Sequence, residues 1–139
     1  MNKPYTWNTY FEFISRAINI FGKRKVEVHL IIGLGEKVDE ALKTMKKIYD
    51  LGAEVALFAY TPFKGLSYVS SQPDIFIYRF FQIVNYSLKE GIEPWNYIIR
   101  GTGNKYKIKS RLIDLIGMRN LIKAIVTSGC PDCNRPYYN

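Results

Sequence analysis

The chain alternates amphipathic helical patterns with short aliphatic runs, and this order constrains its fold more than any other feature. The predicted segments are helix 6–21, strand 26–33, helix 38–51, strand 54–60, helix 74–89 and strand 95–100. Strands that alternate with helices pair in parallel through right-handed crossovers. The sequence therefore predicts an α/β fold with about three parallel βα units.

The 139 residues allow a single domain, covering 1–139. We expect the βα units within 1–100 and a basic, irregular C-terminal segment over 101–139. In that segment the pattern favours a short fourth strand at 106–109 and a last helix at 111–116, broken at Gly117. Three parallel strands would leave two exposed edges, so the chain is expected to be incomplete or paired with another chain.

The net charge of +8 is concentrated in the last third of the chain. From residue 100 onward there are eight lysines and arginines against two acidic residues. Such a surface suits a polyanion, a phosphate-bearing ligand or an acidic partner, but it also occurs in proteins with no such partner. No apolar run approaches the ~20 residues that span a bilayer, and no signal peptide pattern is present. We therefore expect a cytoplasmic protein that does not enter a membrane.

The first predicted strand has two different faces. Its even-numbered positions are aliphatic and suit packing under helices, whereas the other face carries Glu27, His29, Ile31 and Gly33. This asymmetry is typical of a strand in a parallel sheet or barrel whose interior has a function. The chain's one histidine, His29, can be a hydrogen-bonded interior residue or a ligand or base. Both interpretations stay open.

A glycine-rich turn follows this strand, at the end where parallel α/β folds collect their active sites. Gly33 and Gly35 would let a ligand approach the backbone, and the Glu36 carboxylate could accept hydrogen bonds from an amine or a ribose hydroxyl. The match to a dinucleotide-binding pattern is only partial, because Val38 stands where the third glycine belongs. The alternative is a tight turn followed by an acidic residue that starts a helix.

Both cysteines of the chain, Cys130 and Cys133, lie in one CxxC sequence. Two thiolates at this spacing can bind one side of a zinc ion or an iron–sulfur cluster, but such sites take about four ligands. A third cysteine is absent from the sequence. A thioredoxin-type pair would open a helix after a first strand, which this one does not. Either the cysteine pair has a role other than metal binding, or the chain is part of a larger protein or complex.

Three segments together resemble the later half of radical S-adenosylmethionine enzymes. They are HLIIGLGE at 29–36, ALFAYTPFKG at 56–65 and TSGCPDCNRPYYN at 127–139. The nearest branch is that of the biotin-synthase-like and lipoyl-synthase-like proteins, including the two-subunit lipoyl synthase of archaea. The resemblance covers nearly the whole chain, and the terminal segment is its most specific part.

The resemblance implies a partial barrel of six βα units with a strand motif, GxIxGxxE, that helps hold S-adenosylmethionine. Ile31, Gly33 and Glu36 match this motif, whereas His29 stands in the place of its first glycine. With Gly35, the matching residues are the expected cofactor contacts. Ile31 would pack near the adenine, and Gly33 would permit close approach.

The resemblance also implies that Cys130 and Cys133 are part of the ligand set of an auxiliary iron–sulfur cluster, such as the clusters that supply sulfur in related enzymes. The CxxxCxxC triad that binds the S-adenosylmethionine-cleaving cluster does not occur in the sequence. The expected function is thus the C-terminal portion of a sulfur-inserting transferase, inactive without an N-terminal half or partner subunit that carries the triad. The substrate would be a small molecule or a protein-bound acyl group. No catalytic residue is identified.

Two alternatives remain from other functional classes. The basic last third contains several tyrosines and could hold single-stranded nucleic acid by backbone attraction and stacking. The CxxC could instead serve a small zinc or redox protein, as a dimer that contributes two cysteine pairs. The nucleic-acid interpretation explains neither the GLGE turn nor the CxxC, so the sequence favours the enzyme portion.

Overall fold

The computed structural model describes residues 5–62, 71–102 and 105–126. Within these ranges the chain forms five α-helices, one turn of 3₁₀-helix and four short strands. In chain order they are α1 (Trp7–Phe21), β1 (Glu27–Ile32), α2 (Val38–Leu51), β2 (Glu54–Ala59), α3 (Ile75–Lys89), the 3₁₀ turn (Trp95–Tyr97), β3 (Ile98–Arg100), β4 (Tyr106–Ile108), α4 (Ser110–Ile116) and α5 (Met118–Ile125). The predicted mixed α/β class is confirmed.

The first three helices begin and end close to the predicted positions, because local capping residues fix their ends. The Thr6 hydroxyl accepts the backbone N–H of Thr9 at 3.2 Å and so begins α1. The Asp74 carboxylate accepts the N–H of Phe76 at 2.8 Å and so begins α3. At the end of α2, Gly52 adopts the left-handed conformation with a φ of 96°, which favours glycine.

β1 and β2 form a two-stranded parallel sheet. The register runs from Glu27 opposite Glu54 to Ile32 opposite Ala59. A parallel pair needs a crossover between its strands, and α2 supplies it. Both strands consequently end at the same edge of the sheet, next to the start of α2.

Helices α1, α2 and α3 pack on one face of this sheet and form the hydrophobic core with it. The aliphatic side of β1 is buried as predicted, with Val28 at 6% and Ile32 at 1% exposure. Fully buried helical side chains in this core are Met45, Ile48, Phe81 and Val84. Burying each such side chain, instead of leaving it exposed to water, stabilises the fold by roughly 1.5–3 kcal/mol. This core cluster therefore lies on the helical side of the sheet, whereas Ala56, on the other face, is also buried.

Side chains of α3 occupy the outer edge of β2. The Nδ2 of Asn85 donates to the carbonyl oxygen of Val55 at 3.0 Å, and the hydroxyl of Tyr78 donates to the carbonyl oxygen of Leu57 at 3.3 Å. Asn85 is held in turn by the hydroxyl of Tyr49, which donates to its Oδ1 at 2.8 Å. These two carbonyls point away from β1 and are the acceptors that a third parallel strand would need.

The prediction of a third parallel strand at 95–100 is wrong. The first half of this segment is the 3₁₀ turn, and β3 pairs antiparallel with β4, with Ile98 opposite Ile108. The N–H of Gly101 donates to the carbonyl oxygen of Lys105 at 2.7 Å, which closes a short connection that suits antiparallel neighbours only. The described ranges contain two parallel strands, and these do not close into a barrel.

The segment predicted to be irregular after residue 100 contains regular structure. It forms β4, α4 and α5, and the predicted break at Gly117 is confirmed by a φ of 79° between the two helices. Among the helices in the described ranges, none is long and apolar enough to cross a bilayer.

Candidate functional site

The turn after β1 is closed by the carboxylate of Glu36. Its Oε1 accepts the backbone N–H of Gly33 and its Oε2 accepts the N–H of Leu34, both at 2.8 Å. Gly33 and Gly35 have φ values of 107° and 100°, which side-chain-bearing residues rarely adopt. The carboxylate is thus directed into its own turn. This geometry matches the alternative interpretation, in which a tight turn precedes a helix.

The two glycines of the turn have different surroundings. A Cβ placed on Gly33 would lie 2.8 Å from Cδ of Pro73, whereas one placed on Gly35 would meet no atom within 4 Å. Nothing in the spacing of the sequence indicates the contact with Pro73, since 40 positions separate the two residues. A ligand that approaches this turn has open space at Gly35 and not on the covered side of Gly33.

His29, Ile31 and Phe58 lie on the sheet face opposite the core. The rings of His29 and Phe58 have centroids 4.9 Å apart, and Ile31 is the register partner of Phe58. The Nε2 of His29 lies 3.6 Å from Oε1 of Glu27, so a carboxylate stands beside the imidazole. The His29 side chain is 57% exposed, which excludes the interpretation as an interior residue. Together these side chains form a partly exposed apolar and aromatic surface that leads to the glycine turn.

The four predicted cofactor contacts occupy one continuous stretch at the carboxyl end of β1. They are Ile31, Gly33, Gly35 and Glu36. Ile31 is 45% exposed, so its side chain is accessible on the sheet face opposite the core. The role of these residues in binding S-adenosylmethionine stays a prediction.

The predicted metal ligands, Cys130 and Cys133, lie outside the described residues. Within 5–62, 71–102 and 105–126, no group of three or more histidine, cysteine, aspartate and glutamate side chains is arranged to hold a metal ion. The assignment of an iron–sulfur cluster to the cysteine pair therefore also stays a prediction.

The β3–β4 hairpin is attached beside this turn through Asp39, a contact that the sequence did not reveal. The Asp39 carboxylate accepts Nε of Arg100 at 3.0 Å and the hydroxyl of Tyr106 at 3.1 Å. Burial raises the pKa of Tyr106, and the hydrogen bond to Asp39 raises it further. Because Asp39 follows Glu36 by three residues, the hairpin lies near the carboxyl end of the sheet.

Comparison of the chain with known protein families, with curated proteins and with solved structures found no match. The resemblance to radical S-adenosylmethionine enzymes therefore rests on the sequence segments 29–36, 56–65 and 127–139. The structure describes the second segment only as far as residue 62, and the third segment lies outside the described ranges.

Proposed function

We propose that this chain is the C-terminal portion of a radical S-adenosylmethionine iron–sulfur enzyme of the sulfur-inserting, biotin- or lipoyl-synthase-like type. It would act only together with a protein part that carries CxxxCxxC. One observation carries the proposal: the Glu36 turn lies at the carboxyl end of a parallel strand pair whose described helices α1, α2 and α3 pack on one face. In (βα) barrels, helices pack outside and functional side chains collect at that end of the strands.

The finer proposal is that β1 and β2 are the last two strands of a partial barrel. A barrel that stays open needs a final strand whose edge does not accept a neighbour. Asn85 and Tyr78 give β2 such an edge, because they already donate to its outward carbonyls. The rest of the barrel would then precede β1. The proposal therefore assigns two parallel βα units to this chain, where the sequence alone predicted three.

The turn fits an S-adenosylmethionine contact at some positions better than at others. Ile31 is accessible and Gly35 is open, whereas Gly33 is covered on one side by Pro73. Both oxygens of Glu36 accept an N–H bond, but each keeps a second lone pair for an amine or hydroxyl donor. We therefore assign the approach of the cofactor to Ile31 and Gly35, with Glu36 holding the turn in shape.

This chain's part in the reaction would be to bind and orient S-adenosylmethionine. S-adenosylmethionine and the cluster bound by the triad would together supply the radical chemistry, and the triad must come from outside this sequence. Cys130 and Cys133 would hold part of an auxiliary cluster whose other ligands also lie outside the chain. The substrate would be a small molecule or a protein-bound acyl group.

Helix α1 supports the need for a second protein part. Its side toward the core contains Ile14 and Ile18, both under 8% exposed. Other large apolar residues of the helix are nonetheless 64% to 75% exposed, with Trp7 and Phe21 at its two ends and Phe13 and Ile20 on a flank. Contiguous exposed apolar surface marks interaction sites in soluble proteins. The apolar surface of α1 is therefore wider than the fold itself uses.

Anaerobic reconstitution with iron and sulfide tests the proposal. The chain would be reconstituted alone and with a candidate partner that carries CxxxCxxC. We expect the complex to hold one cluster more than the partner alone, and Cys130→Ser or Cys133→Ser to abolish that difference. Ser128→Ala, in the same segment, is the control and should keep the cluster. Zinc at about half an equivalent per chain without iron would favour a small zinc protein instead.

Equilibrium dialysis of the complex against S-adenosylmethionine tests the turn. Gly35→Ala places a methyl group where we expect the ligand to approach, so the Kd should rise by about tenfold, or 1.4 kcal/mol. Gly91→Ala is the matched control, because Gly91 also has a positive φ and open surroundings. Equal Kd values for both variants would argue against binding at the turn. Turnover by the isolated chain would argue against a required partner.

A further inference from the structure

The β3–β4 hairpin has two different faces. Its inner face packs against the hydrophobic core through Ile98, Tyr106 and Ile108. Side chains at alternate positions of a strand lie on the same face, so the positions between and beside these buried ones lie on the outer face. On β4 and at its two ends, these outer positions are three exposed lysines, Lys105, Lys107 and Lys109. We refer to this row of lysines as the lysine face.

The lysine face is held on a fixed support. On the inner side of the hairpin, the Asp39 carboxylate accepts hydrogen bonds from Arg100 and Tyr106. The N–H of Lys109 donates to the carbonyl oxygen of Tyr97 at 2.8 Å, which extends the strand pairing beyond β3 and β4. A ligand that binds a preformed surface loses less free energy in ordering it. The spacing of the lysines is therefore set by the fold.

The positive charge of the lysine face is not neutralised within the described part of the chain. None of the ion pairs in residues 5–62, 71–102 and 105–126 includes a lysine of this face. The Nζ of Lys109 donates to the carbonyl oxygen of Asn96 at 3.0 Å, which leaves the charge and two further donors on that group. Asp39 binds the hairpin from its opposite face. The row is therefore suited to an anionic ligand.

The length of the row indicates the kind of anion. Successive lysines lie about 7 Å apart and the row spans about 14 Å, because an antiparallel strand rises about 3.4 Å per residue. A single phosphate is too small to contact all three, whereas a nucleic acid strand carries one negative charge on every nucleotide. Ile99, opposite Lys107, is 44% exposed, and Tyr97, paired with Lys109, is partly exposed. These two side chains offer apolar contact to unpaired bases.

We propose that the lysine face binds single-stranded nucleic acid. The three lysines contact phosphates of the backbone, and bases of the same strand lie against Ile99 and Tyr97. The regular row favours this ligand over an acidic protein, which would have to present its carboxylates along a matching line. The inference goes beyond the proposed function and depends on neither an iron–sulfur cluster nor S-adenosylmethionine.

Fluorescence polarisation with labelled oligonucleotides tests the inference on the full chain. The probes are an oligouridylate, an oligothymidylate and a DNA duplex of the same length. We expect both single strands to bind more tightly than the duplex. Phosphate contacts release counterions, so three contacts should give a slope of about −2, or steeper, for the logarithm of the association constant against the logarithm of salt concentration.

Removing lysines from the row should weaken binding and reduce its salt dependence. We expect Lys105→Gln combined with Lys107→Gln to lower the affinity at least about tenfold at about 50 mM salt and to make the slope shallower by about 1.4. Lys25→Gln combined with Lys43→Gln is the matched control, because it removes the same charge from exposed positions outside the hairpin. The control should change the affinity by less than about threefold.

Circular dichroism shows whether each variant is folded, and Lys107→Gln alone serves if the double variant is not. Absence of oligonucleotide binding, or an equal loss of affinity in the two double variants, would overturn the inference. So would competition by polyglutamate that equals competition by oligothymidylate at the same charge concentration, or tighter binding of the duplex. If the hairpin variant aggregated but kept its affinity, the lysines would instead protect the strand edges. The cluster reconstitution contains no nucleic acid, so its outcome is independent of these results.

Discussion

The side-chain amide nitrogen of Asn85 lies 3.0 Å from the carbonyl oxygen of Val55, and this bond closes the outer edge of β2. The other end of the same amide accepts the hydroxyl of Tyr49 at 2.8 Å. Burial raises the pKa of the Tyr49 hydroxyl, so the hydroxyl remains a donor throughout the pH range in which the chain would be studied. A buried amide that is hydrogen-bonded through both its nitrogen and its oxygen thus ends the parallel sheet.

Replacing this amide should cost stability. Asn85→Leu removes the donor to the Val55 carbonyl and leaves the Tyr49 hydroxyl only its longer contact, 3.4 Å, with the backbone carbonyl of residue 85, so we expect the free energy of unfolding to fall by about 2 kcal/mol. Urea denaturation at neutral pH measures it. Asn19→Leu, on the exposed side of α1, is the matched control and should change stability by less than about 0.5 kcal/mol. Equal effects of the two substitutions would contradict the role of Asn85.

The two glycines after β1 should respond differently to alanine. Both have similar positive φ values, so each substitution carries a backbone strain of about 1–3 kcal/mol. Only Gly33→Ala also brings a methyl group to 2.8 Å from Pro73. We therefore expect Gly33→Ala to destabilise the chain more than Gly35→Ala by at least about 1 kcal/mol. Comparative thermal unfolding of the two variants measures the difference, and equal melting temperatures would contradict the packing of Pro73.

Glu36 should matter to the turn independently of any ligand. Glu36→Gln removes the charge and leaves one acceptor oxygen for two backbone N–H donors, so we expect a loss of about 1–2 kcal/mol. Hydrogen exchange should show faster exchange at the amides of Gly33 and Leu34. Glu12→Gln, on the exposed side of α1, should leave both rates unchanged. Unaltered exchange in Glu36→Gln would show that the carboxylate does not hold the turn.

The ion pairs of Glu54 should make the free energy of unfolding depend on pH. Burial tends to raise its pKa, but hydrogen bonds from Arg24 and Lys89 outweigh burial and hold the pKa below its usual value. Because the pKa of Glu54 is lower in the folded than in the unfolded chain, its ion pairs stabilise the fold fully above the unfolded value of about 4.3. This stabilisation is lost as the pH falls through the folded pKa. We expect Glu54→Gln to reduce the difference in unfolding free energy between about pH 7 and about pH 3.

Urea titrations across that range measure this difference. The exposed Glu90→Gln is the matched control and should retain the acid sensitivity of the parent chain. If Glu54→Gln were as acid-sensitive as the parent, the ion pairs with Arg24 and Lys89 would not be the source of the effect.

Local patterns were sufficient to predict the first half of the fold. The bounds of α2 are those predicted, because its apolar spacing and the cap at Gly52 are both encoded within the segment. The parallel pairing of β1 and β2 follows from the helix between them. The third strand could not be excluded, because the contact of Asn85 with Val55 joins residues 30 positions apart.

The candidate site was also predicted only in part, because some of its contacts join residues that are far apart in the sequence. The glycine turn could be located, but the direction of the Glu36 carboxylate depends on hydrogen bonds that a motif does not specify. Pro73 covers Gly33 from a distant part of the chain. Arg79 and Gln82 were visible as polar residues in an apolar helix, which is a signal for a buried polar contact, but the sequence does not show that α5 receives it.

The exposed apolar side chains of α1 have a practical consequence for anyone who purifies this polypeptide. Rings such as those of Trp7 and Phe13 will adhere to one another when copies meet at the concentrations used in the laboratory. Producing the chain together with the partner proposed above should give a monodisperse preparation. Light scattering of the polypeptide made alone should instead show particles that grow with concentration.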